Sequence, residues 1–307
     1  MSNSTVWLRE KIRSAGELQG VVSAMKALAA SSIGQYERSV AALGDYSRAL
    51  ELSLGVCLRA GGLLPAAGRT LRPDARVTAC AVVFGSDQGL VGQFNEVVAA
   101  YAARALAARS GPIEVWAVGE RAQARLQEAG RLPLRSFPVP GTVKAIVPLV
   151  GQILAATEDF QARDAAGELW LFHNRPAQGA AFAPVGLRLL PLDEGWARRM
   201  AAVPWPNRLP PQTLGDAPGV FLHLIRGYLF VSLFRACAES LASENASRLA
   251  AMQRAEKNIG ERLTELQVTF HRLRQSGIDE ELFDVISGFE ALSHTGRIHP
   301  PFLRTSP

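Results

Sequence analysis

Hydrophobic residues recur with a 3.5-residue period at both ends of the chain. Counting alternately four and three residues from Leu8 gives Ile12, Ala15, Gln19, Val22, Lys26, Ala29, Ile33, Tyr36, Val40, Leu43, Ser47, Leu50 and Leu54. The same count from Leu249 gives Met252, Glu256, Ile259, Leu263, Leu266, Phe270 and Leu273. A heptad repeat without an interrupting proline is typical of helices that supercoil. We call these rows the N-terminal seam and the C-terminal seam. They predict long helices over 1–60 and 219–292.

The two predicted helices are too long for one small domain. At about 1.5 Å per residue, the N-terminal seam spans roughly 70 Å and the segment 219–292 roughly 110 Å. Since the seams lie far apart in sequence, we expect the helices to pair antiparallel into a rod, or to meet a partner. A second apolar row follows the first helix at Leu18, Val21, Met25 and Leu28. An exposed apolar stripe is costly in water, so this row predicts a further partner, unless it packs on the central domain.

The middle of the chain, 76–192, alternates between strand-like and helix-like segments. Strands are predicted at 76–84, 113–118, 134–139, 169–173 and 185–192, and helices at 93–109, 120–129 and 143–160. Strands separated by helices indicate βαβ units and a mostly parallel, Rossmann-like sheet. Pro133, Pro138 and Pro140 favour an edge position for the third strand. The predicted fold is therefore α/β plus a long antiparallel coiled coil, with the sheet domain inserted between the two helices.

Three further segments complete the predicted domain organisation. Residues 61–75 are rich in glycine and proline and are predicted to be a linker. Residues 193–218 are rich in proline and hold Trp196 and Trp205, which predicts a surface connection. Residues 293–307 are predicted to be a disordered tail.

Composition narrows the classes of function. The chain has 307 residues, of which 48% are hydrophobic and 20% charged, which is typical of a globular protein. The net charge is +5 and the arginines are spread along the chain, so nucleic-acid binding is not indicated. Cys57, Cys80 and Cys237 lie far apart without a C-x-x-C pair, which predicts buried thiols in a cytosolic protein and no metal site.

The sequence predicts no direct bilayer span. Residues 1–13 lack the apolar region of a secretory leader. The most apolar late stretch, 220–234, carries His223 and Arg226 and is shorter than a spanning helix needs to be.

A glycine-rich loop, 85–95, follows the first predicted strand, where phosphates and dinucleotides bind in many α/β proteins. Its spacing fits neither kind of site. A P-loop needs Lys and Ser or Thr after its last glycine, whereas Gln93 and Phe94 follow Gly92. The G-x-G-x-x-G fingerprint is also absent, since Gly85, Gly89 and Gly92 are spaced by four and three. We expect these glycines to serve tight turns and close backbone packing, without a bound cofactor.

Catalytic residues are not predicted either. The histidines, none of which has a nucleophile in a recognisable arrangement, are His173, His223, His271, His294 and His299. Near the end of the last helix lie four acidic residues: Asp279, Glu280, Glu281 and Asp284. They follow Arg272 and Arg274. They therefore either form solvated ion pairs along the helix or bind a partner surface by electrostatic attraction.

Three separated motifs resemble the gamma subunit of F-type ATP synthases, over about 8–292. In the first helix the matching residues are Arg9, Lys11, Ile12, Ser14, Ala24, Met25, Lys26, Ala29, Ala30 and Ser31. The loop 86–95, SDQGLVGQFN, is similar to the family's [ST]-D-x-G-L-C-G-x-[FL]-N motif. The strongest match is the last helix, in 239–249, Ala251, Met252, Ala255, Asn258, Leu263, Arg274, Gln275, Ser276, Ile278, Glu281, 286–288, Ala291 and Leu292.

The resemblance implies a non-catalytic central shaft. Its helices would enter the ring of alpha and beta subunits, and its α/β body would sit on the membrane ring of c subunits beside the epsilon subunit. Rotation driven by ion flow would then drive phosphorylation of ADP, with hydrolysis and ion pumping in reverse. Mg-ATP and ADP would bind the partner subunits and no cofactor would bind this chain. The expected location is peripheral, on the cytoplasmic face of the bacterial inner membrane.

The resemblance also implies which residues couple rotation to catalysis. They are Met25, Lys26, Asp87, Gln88, Gly89, Leu90, Arg248, Arg274, Gln275, Asp279 and Glu281. Of these, we expect Lys26, Arg248 and Gln275 to face partner subunits and not the chain's own core.

Departures from the family pattern suggest a divergent branch, such as the product of an alternative ATPase operon. Val91 stands where the family has Cys, Gln93 where Gly is common, and Asp279 where Thr is usual. Two alternatives remain at this point. One is a Rossmann-like nucleotide-dependent enzyme with helical dimerisation arms, and the other is a coiled-coil scaffold.

Overall fold

The computed structural model describes residues 3–61, 78–109, 111–207, 209, 211 and 216–295. The helices are α1 (Asn3–Gly61), α2 (Phe94–Ala107), α3 (Glu120–Glu128), α4 (Val143–Arg163), α5 (Glu194–Ala201) and α6 (Ala217–Thr295). The strands are β1 (Ala79–Phe84), β2 (Ile113–Val118), β3 (Arg135–Phe137), β4 (Glu168–Ala177) and β5 (Ala180–Leu190). The predicted linker beyond Gly61 and the predicted tail beyond Thr295 lie outside the described residues.

The chain divides into two units, 1–24 with 253–307, and 25–252. The first unit consists of the beginning of α1 and the later part of α6. In it Leu8 is buried, and the guanidinium of Arg9 lies 5.7 Å from the ring centre of Phe270. The seam residues of this unit are at least partly buried from Leu8 to Val22 and from Glu256 to Phe270, whereas Leu273 is exposed.

The second unit holds a five-stranded sheet in the order β3-β2-β1-β4-β5. Strands β1 to β4 run parallel, and β5 is antiparallel to β4. Central β1 is a continuous apolar run, and all of its residues are buried, as expected for a strand covered on both faces. The mixed α/β class with a mostly parallel sheet and long terminal helices is therefore confirmed, and β3 occupies the predicted edge.

Alternate residues of β1 face two separate cores. Ala81 and Val83 pack with α2 and α3, through residues such as Val98 and Leu126. Val82 and its neighbours on the other face belong to a larger core that includes α4, the end of α1 and the beginning of α6. In this unit the two long helices are thus part of the wall of the sheet domain.

Helices α1 and α6 run antiparallel in the second unit. Ser47 accepts a hydrogen bond from Arg235 at 3.4 Å, and a Cβ added to Gly227 would lie 3.1 Å from Leu50 Cδ2. Rising numbers in α1 therefore meet falling numbers in α6. Every predicted seam position of α1 in this unit, from Lys26 to Leu54, is at least partly buried. The 3.5-residue period correctly identified the contact face.

The structure differs from prediction after β4. The two last strands form one long hairpin, which turns at Gly179 with φ +79°. Part of 193–218, expected to be a surface connection, forms α5, whose first turn is capped by Asp193 Oδ1 accepting from Trp196 N at 2.7 Å. Trp196 is buried against Tyr228, with ring centres 5.4 Å apart. A large apolar surface outweighed the local proline content here.

The stretch Pro218–Glu290 of α6 passes, by length and composition alone, as a helix able to cross a membrane. Of the 18-residue window on which this rests, 33% is buried. Because the core helix of a globular domain meets the same criterion, this is weak support for a span. Val231, Leu233 and Phe234 of α6 are buried in the second unit.

Candidate functional site

The loop 85–95 is held by its own polar groups. Ser86 N donates to Asn95 Oδ1 at 2.9 Å, and Asn95 Nδ2 donates back to Ser86 Oγ at 2.8 Å. Both residues are buried. Position 85 has no room for a larger residue than glycine, because an added Cβ would lie 2.3 Å from Ala122 Cβ. The loop is therefore held by the Ser86–Asn95 pair, and Gly85 has the close-packing role predicted for these glycines.

Asp87 fastens this loop to two neighbouring segments. Its Oδ1 accepts from Glu120 N at 3.0 Å, at the start of α3, and its Oδ2 accepts from Val139 N at 2.9 Å, after β3. A carboxylate at a helix N-terminus is favourable for the helix dipole. Asp87 thus has an internal role at the carboxyl ends of the parallel strands.

Gln88 and Leu90 face outward from the same loop. Leu90 is 63% exposed and has φ +62°, a left-handed conformation that is uncommon for a leucine. Gln88 is exposed and Gly89 is half-buried between them. The loop therefore presents one apolar side chain on a rigid base.

A row of polar residues on α6 binds the sheet domain. Glu239 Oε2 accepts from Arg175 Nε at 2.9 Å and lies 2.8 Å from His173 Nε2. One turn further, Ser243 Oγ donates to Asn174 O at 3.2 Å. Another turn on, Ser247 Oγ donates to Val91 O, in the loop 85–95. Three successive turns of α6 are thus hydrogen-bonded to β4 and to the loop.

Glu244 and Arg248 form a second polar feature of α6. Arg248 Nη2 lies 2.7 Å from Glu244 Oε1, and the two side chains are 13% and 8% exposed. Burial raises the pKa of Glu244, and the charge of Arg248 and its hydrogen bond offset this only in part. Because both charges lose hydration on burial, an ion pair of this kind is weak evidence for added stability.

The end of α6 carries an apolar row of its own, which we call the distal row. It consists of Ile278, Leu282, Val285 and Phe289, which are 53%, 57%, 69% and 74% exposed. Their spacing of four, three and four places them on one face of the helix. Continued past Leu273, the C-terminal seam would instead pass through Gly277 and Glu280. The distal row therefore lies off the face that pairs with α1 in this unit, and each of its four side chains is more than half exposed.

The comparisons with known proteins agree with one another. A family model described as ATP synthase matches residues 4–292. The ATP synthase gamma chain of Granulibacter bethesdensis is 30% identical over 295 residues, which cover 93% of this chain and 98% of that one. The gamma chain of an Anaeromyxobacter species is 28% identical over 296 residues, with the same coverage. The chain belongs to the ATP synthase gamma-chain family.

Solved structures share the fold of this family member. A chain of the Euglena gracilis mitochondrial ATP synthase gives a TM-score of 0.59 at 14% identity, covering 99% of each chain. A chain from the central stalk and c-ring of the Tetrahymena thermophila enzyme gives 0.54 at 19% identity, covering 76% of this chain and 99% of that one. Members of the gamma-chain family are non-catalytic subunits, and so is this chain. Among its described residues, no group of three or more His, Cys, Asp or Glu side chains could hold a metal ion.

The predicted coupling residues are divided between the two units. In 25–252, Met25 and Lys26 are half-buried, and Asp87 and Arg248 are engaged within the chain as described above. In the other unit, the residues Arg274, Gln275, Asp279 and Glu281 are all exposed. Gln275 thus has the exposure expected of a partner contact. Arg248 does not, because its charge is used by Glu244 and most of its side chain is covered.

The second apolar row of α1 is open, as its sequence suggested. Leu18 and Val21 in the first unit are each 58% exposed, and Leu28 in the second is 69% exposed. Met25 is half-buried. The alternative, that this row packs on the central domain, is wrong for Leu28. Together with the distal row, these residues give both long helices exposed apolar surface in the described part of the chain.

Sequence reasoning missed the polar row of Glu239, Ser243 and Ser247. The signal was present, since three hydrogen-bonding residues at intervals of four share a helix face. On a helix that packs against the domain, such a row indicates specific polar docking. Its partners could not have been named, because they lie in other elements.

Glu239→Gln should reveal the ion pair as a pH-dependent contribution to stability. Burial opposes the charge on Glu239 more than any one contact favours it. Hydrogen bonds from His173 and Arg175, together with their charges, nevertheless hold its pKa below the ordinary value. A lowered folded-state pKa contributes stability above the unfolded-state pKa and loses it as pH falls through the folded-state value. We therefore expect Gln to cost about 2 kcal/mol at neutral pH, and progressively less in acid.

Urea denaturation of the wild-type chain and of Glu239→Gln, from neutral pH into acid, measures the effect. The matched control is Glu158→Gln, which breaks an exposed ion pair with Arg226 (side chains 59% and 64% exposed). It should cost about 0.5 kcal/mol or less at any pH. Equal losses for both variants, or a Glu239→Gln loss that grows in acid, would contradict the assignment.

Proposed function

We propose that this chain is the central shaft of a rotary ATP synthase. It couples ion-driven rotation of a membrane ring to conformational cycling of catalytic beta subunits, and the reverse direction couples ATP hydrolysis to ion pumping. Membership of the gamma-chain family supports this function. The single structural observation that carries it is the distal row, an apolar face of four large side chains that are each more than half exposed.

The physical task of a shaft is to present different surfaces in different directions. A catalytic site changes affinity only if the shaft contacts its alternative conformations differently. The distal row makes one face of α6 apolar, and exposed Phe283 and Ile286 lie outside the row. The acidic residues Asp279, Glu280 and Asp284 lie beside it in sequence. A helix with faces of different chemistry is suited to this, because each rotation step exchanges the face that a given neighbour contacts.

The partners follow from the same proposal. The distal row and the open row of α1 would contact alpha and beta subunits. Arg274, Gln275, Asp279 and Glu281, all exposed, would be the polar contacts of that surface. Lys26 and Met25 would contribute from α1, and Arg248 would act through its pairing with Glu244.

The sheet domain would bind the other rotor components. Its exposed Leu90 and Gln88 project from a loop that Asp87 fixes at both ends, which suits a contact with the epsilon subunit or the ring of c subunits. Nucleotide would bind partner subunits as Mg-ATP or ADP. The complex would be peripheral, on the cytoplasmic face of a bacterial inner membrane. No observation favours a nucleotide-dependent enzyme, since the loop 85–95 is filled by its own contacts.

Affinity purification of the tagged full-length chain from its native organism tests the function. We expect it to recover a large complex with Mg-ATPase activity. In membrane vesicles, we expect that blocking the rotation of this chain abolishes ATP-driven ion pumping. A homo-oligomer of this chain alone would favour a scaffold. Nucleotide binding by the isolated chain, measured by calorimetry, would favour the enzyme alternative. Either result would overturn the proposal.

A further inference from the structure

Helix α6 meets the sheet domain through two kinds of contact. Apolar residues such as Leu233 and Phe234 join the core, and the polar row reaches β4 and the loop 85–95. Hydrophobic contacts are non-directional, so they hold a helix against a domain without strongly fixing its rotation about its own axis. Hydrogen bonds depend steeply on angle, and therefore they do fix it.

The polar row is well placed to resist rolling of α6. Glu239, Ser243 and Ser247 are spaced by four residues, so each lies almost directly above the last on the helix surface. A roll of α6 in either direction would move all three away from their partners together. The contacts extend over two helical turns, which is about 12 Å at 1.5 Å per residue. They therefore oppose tilting as well as rolling.

The partners of the row belong to rigid parts of the domain. Asn174 lies in β4, is fully buried, and donates from Nδ2 to Phe94 O at 2.9 Å. Val91 lies in the loop that Ser86 and Asn95 close. Glu239 is held by two side chains of β4, one on either side of Asn174. Force applied through the row is thus received by the sheet and by the loop, not by a single side chain.

Packing beside the row is incomplete, which increases its importance. A cavity of about 240 Å³ lies between α1, β4, β5 and α6, and Arg175, Arg235 and Glu239 are among its lining residues. The cavity adjoins the row at Glu239, so packing around that residue leaves more of the orientation of α6 to the polar contacts.

We propose that Glu239, Ser243 and Ser247 are a rotational key, which locks α6 to the sheet domain so that torque passes between body and shaft without slip. The inference rests on the proposed function, since it names positioning residues for rotary coupling. It assigns to this row a role separate from the contacts with catalytic partners.

The test uses the assembled complex with the double variant Ser243→Ala/Ser247→Ala. Optical markers are attached to cysteines introduced by Lys257→Cys on α6 and Arg104→Cys on α2, both exposed, while the native cysteines are buried. The angular variance between the two markers is recorded during catalytic dwells. Two of four directional contacts are removed, so stiffness should halve and the variance should rise about twofold. Ion pumping per ATP hydrolysed should fall against an opposing gradient.

Two matched controls separate a key from general weakening. Ser240→Ala removes a hydroxyl of the same helix that is buried and has no hydrogen-bond partner in the described part of the chain. It should leave the variance unchanged. Leu126→Ala opens a cavity in the fully buried core on the other side of the sheet and should lower the Tm, again without changing the variance.

The outcomes distinguish this inference from the proposed function. A wild-type complex that rotates, with unchanged variance in the double variant, would overturn the key alone. A rise of equal size in Ser240→Ala or Leu126→Ala would also overturn it, because softening would then be unspecific. A wild-type chain that assembles no rotating complex would overturn both proposals.

Discussion

Gly119→Ala is expected to cost the sheet domain about 4 kcal/mol of unfolding free energy, the largest effect of any single substitution considered for this chain. Gly119 follows β2 and has φ +104°, a conformation that L side chains rarely adopt. A Cβ would lie 2.7 Å from Ser86 O, 2.8 Å from Ser86 C and 2.9 Å from Ser86 N. Those atoms belong to the backbone of a loop that cannot move aside. Ser86 is hydrogen-bonded to Asn95, and Asp87 is hydrogen-bonded to the start of α3. The backbone strain of an L residue at this φ and the steric overlap of its Cβ with Ser86 therefore add.

Two other glycines separate these contributions. Gly130 also has a positive φ, +74°, but no atom lies within 4 Å of its added Cβ, so Gly130→Ala should cost only about 1 kcal/mol. Gly151 is exposed within α4 and has open space, so Gly151→Ala should gain about 0.5–1 kcal/mol from helix propensity. Urea denaturation of the three variants measures the series. A Gly119→Ala loss no greater than that of Gly130→Ala would show that the loop yields.

Leu282→Asp with Phe289→Asp is expected to abolish coupling while leaving the chain folded. The two side chains are 57% and 74% exposed, so charge there should change the unfolding free energy of the isolated chain by about 0.5 kcal/mol or less. In the proposed complex they would be covered by catalytic subunits. Large apolar anchors at such interfaces typically contribute about 2 kcal/mol each, so loss of both should lower affinity by roughly a thousandfold. The measurements are reconstitution of ATPase activity, binding affinity, and Tm of the isolated chain.

Ser287→Asp is the matched control for the distal row. It adds one negative charge, against two in the double variant, to the same exposed segment, and it lies outside the distal row. It should reduce affinity by about threefold or less, since a charge at the rim of an interface affects mainly the association rate. If both variants weakened assembly equally, the distal row would be only a region sensitive to charge. If neither did, it would not be a partner surface.

The seams show how much of this fold is local in origin. A 3.5-residue period places residues such as Leu8 and Tyr36 on one face of a helix whatever that face contacts. The structure buries them at 5% and 6% exposure. The order of strands and helices, and the edge position of β3, were likewise predictable, because runs of apolar residues and prolines act within a few neighbours.

The candidate site was only partly predictable. Family resemblance indicated Asp87 and Arg248 as coupling residues, but their carboxylate and guanidinium groups are engaged inside the chain. Trp196 was assigned to the surface because of the prolines around it, whereas Tyr228 and its neighbours bury it. In each case the deciding partner lies far away in sequence, and local composition carries no information about it.

The sequence by itself determined the long helices, their contact faces and the alternation of strand and helix, because periodicity and turn residues act over a few positions. Tertiary structure alone decided what those faces meet. Ser247 reaches Val91 across 156 residues, and Glu239 reaches His173 across 66. Such pairs depend on the geometry of the closed sheet and on the angle at which α6 crosses it. Neither quantity is set by any short segment of the chain.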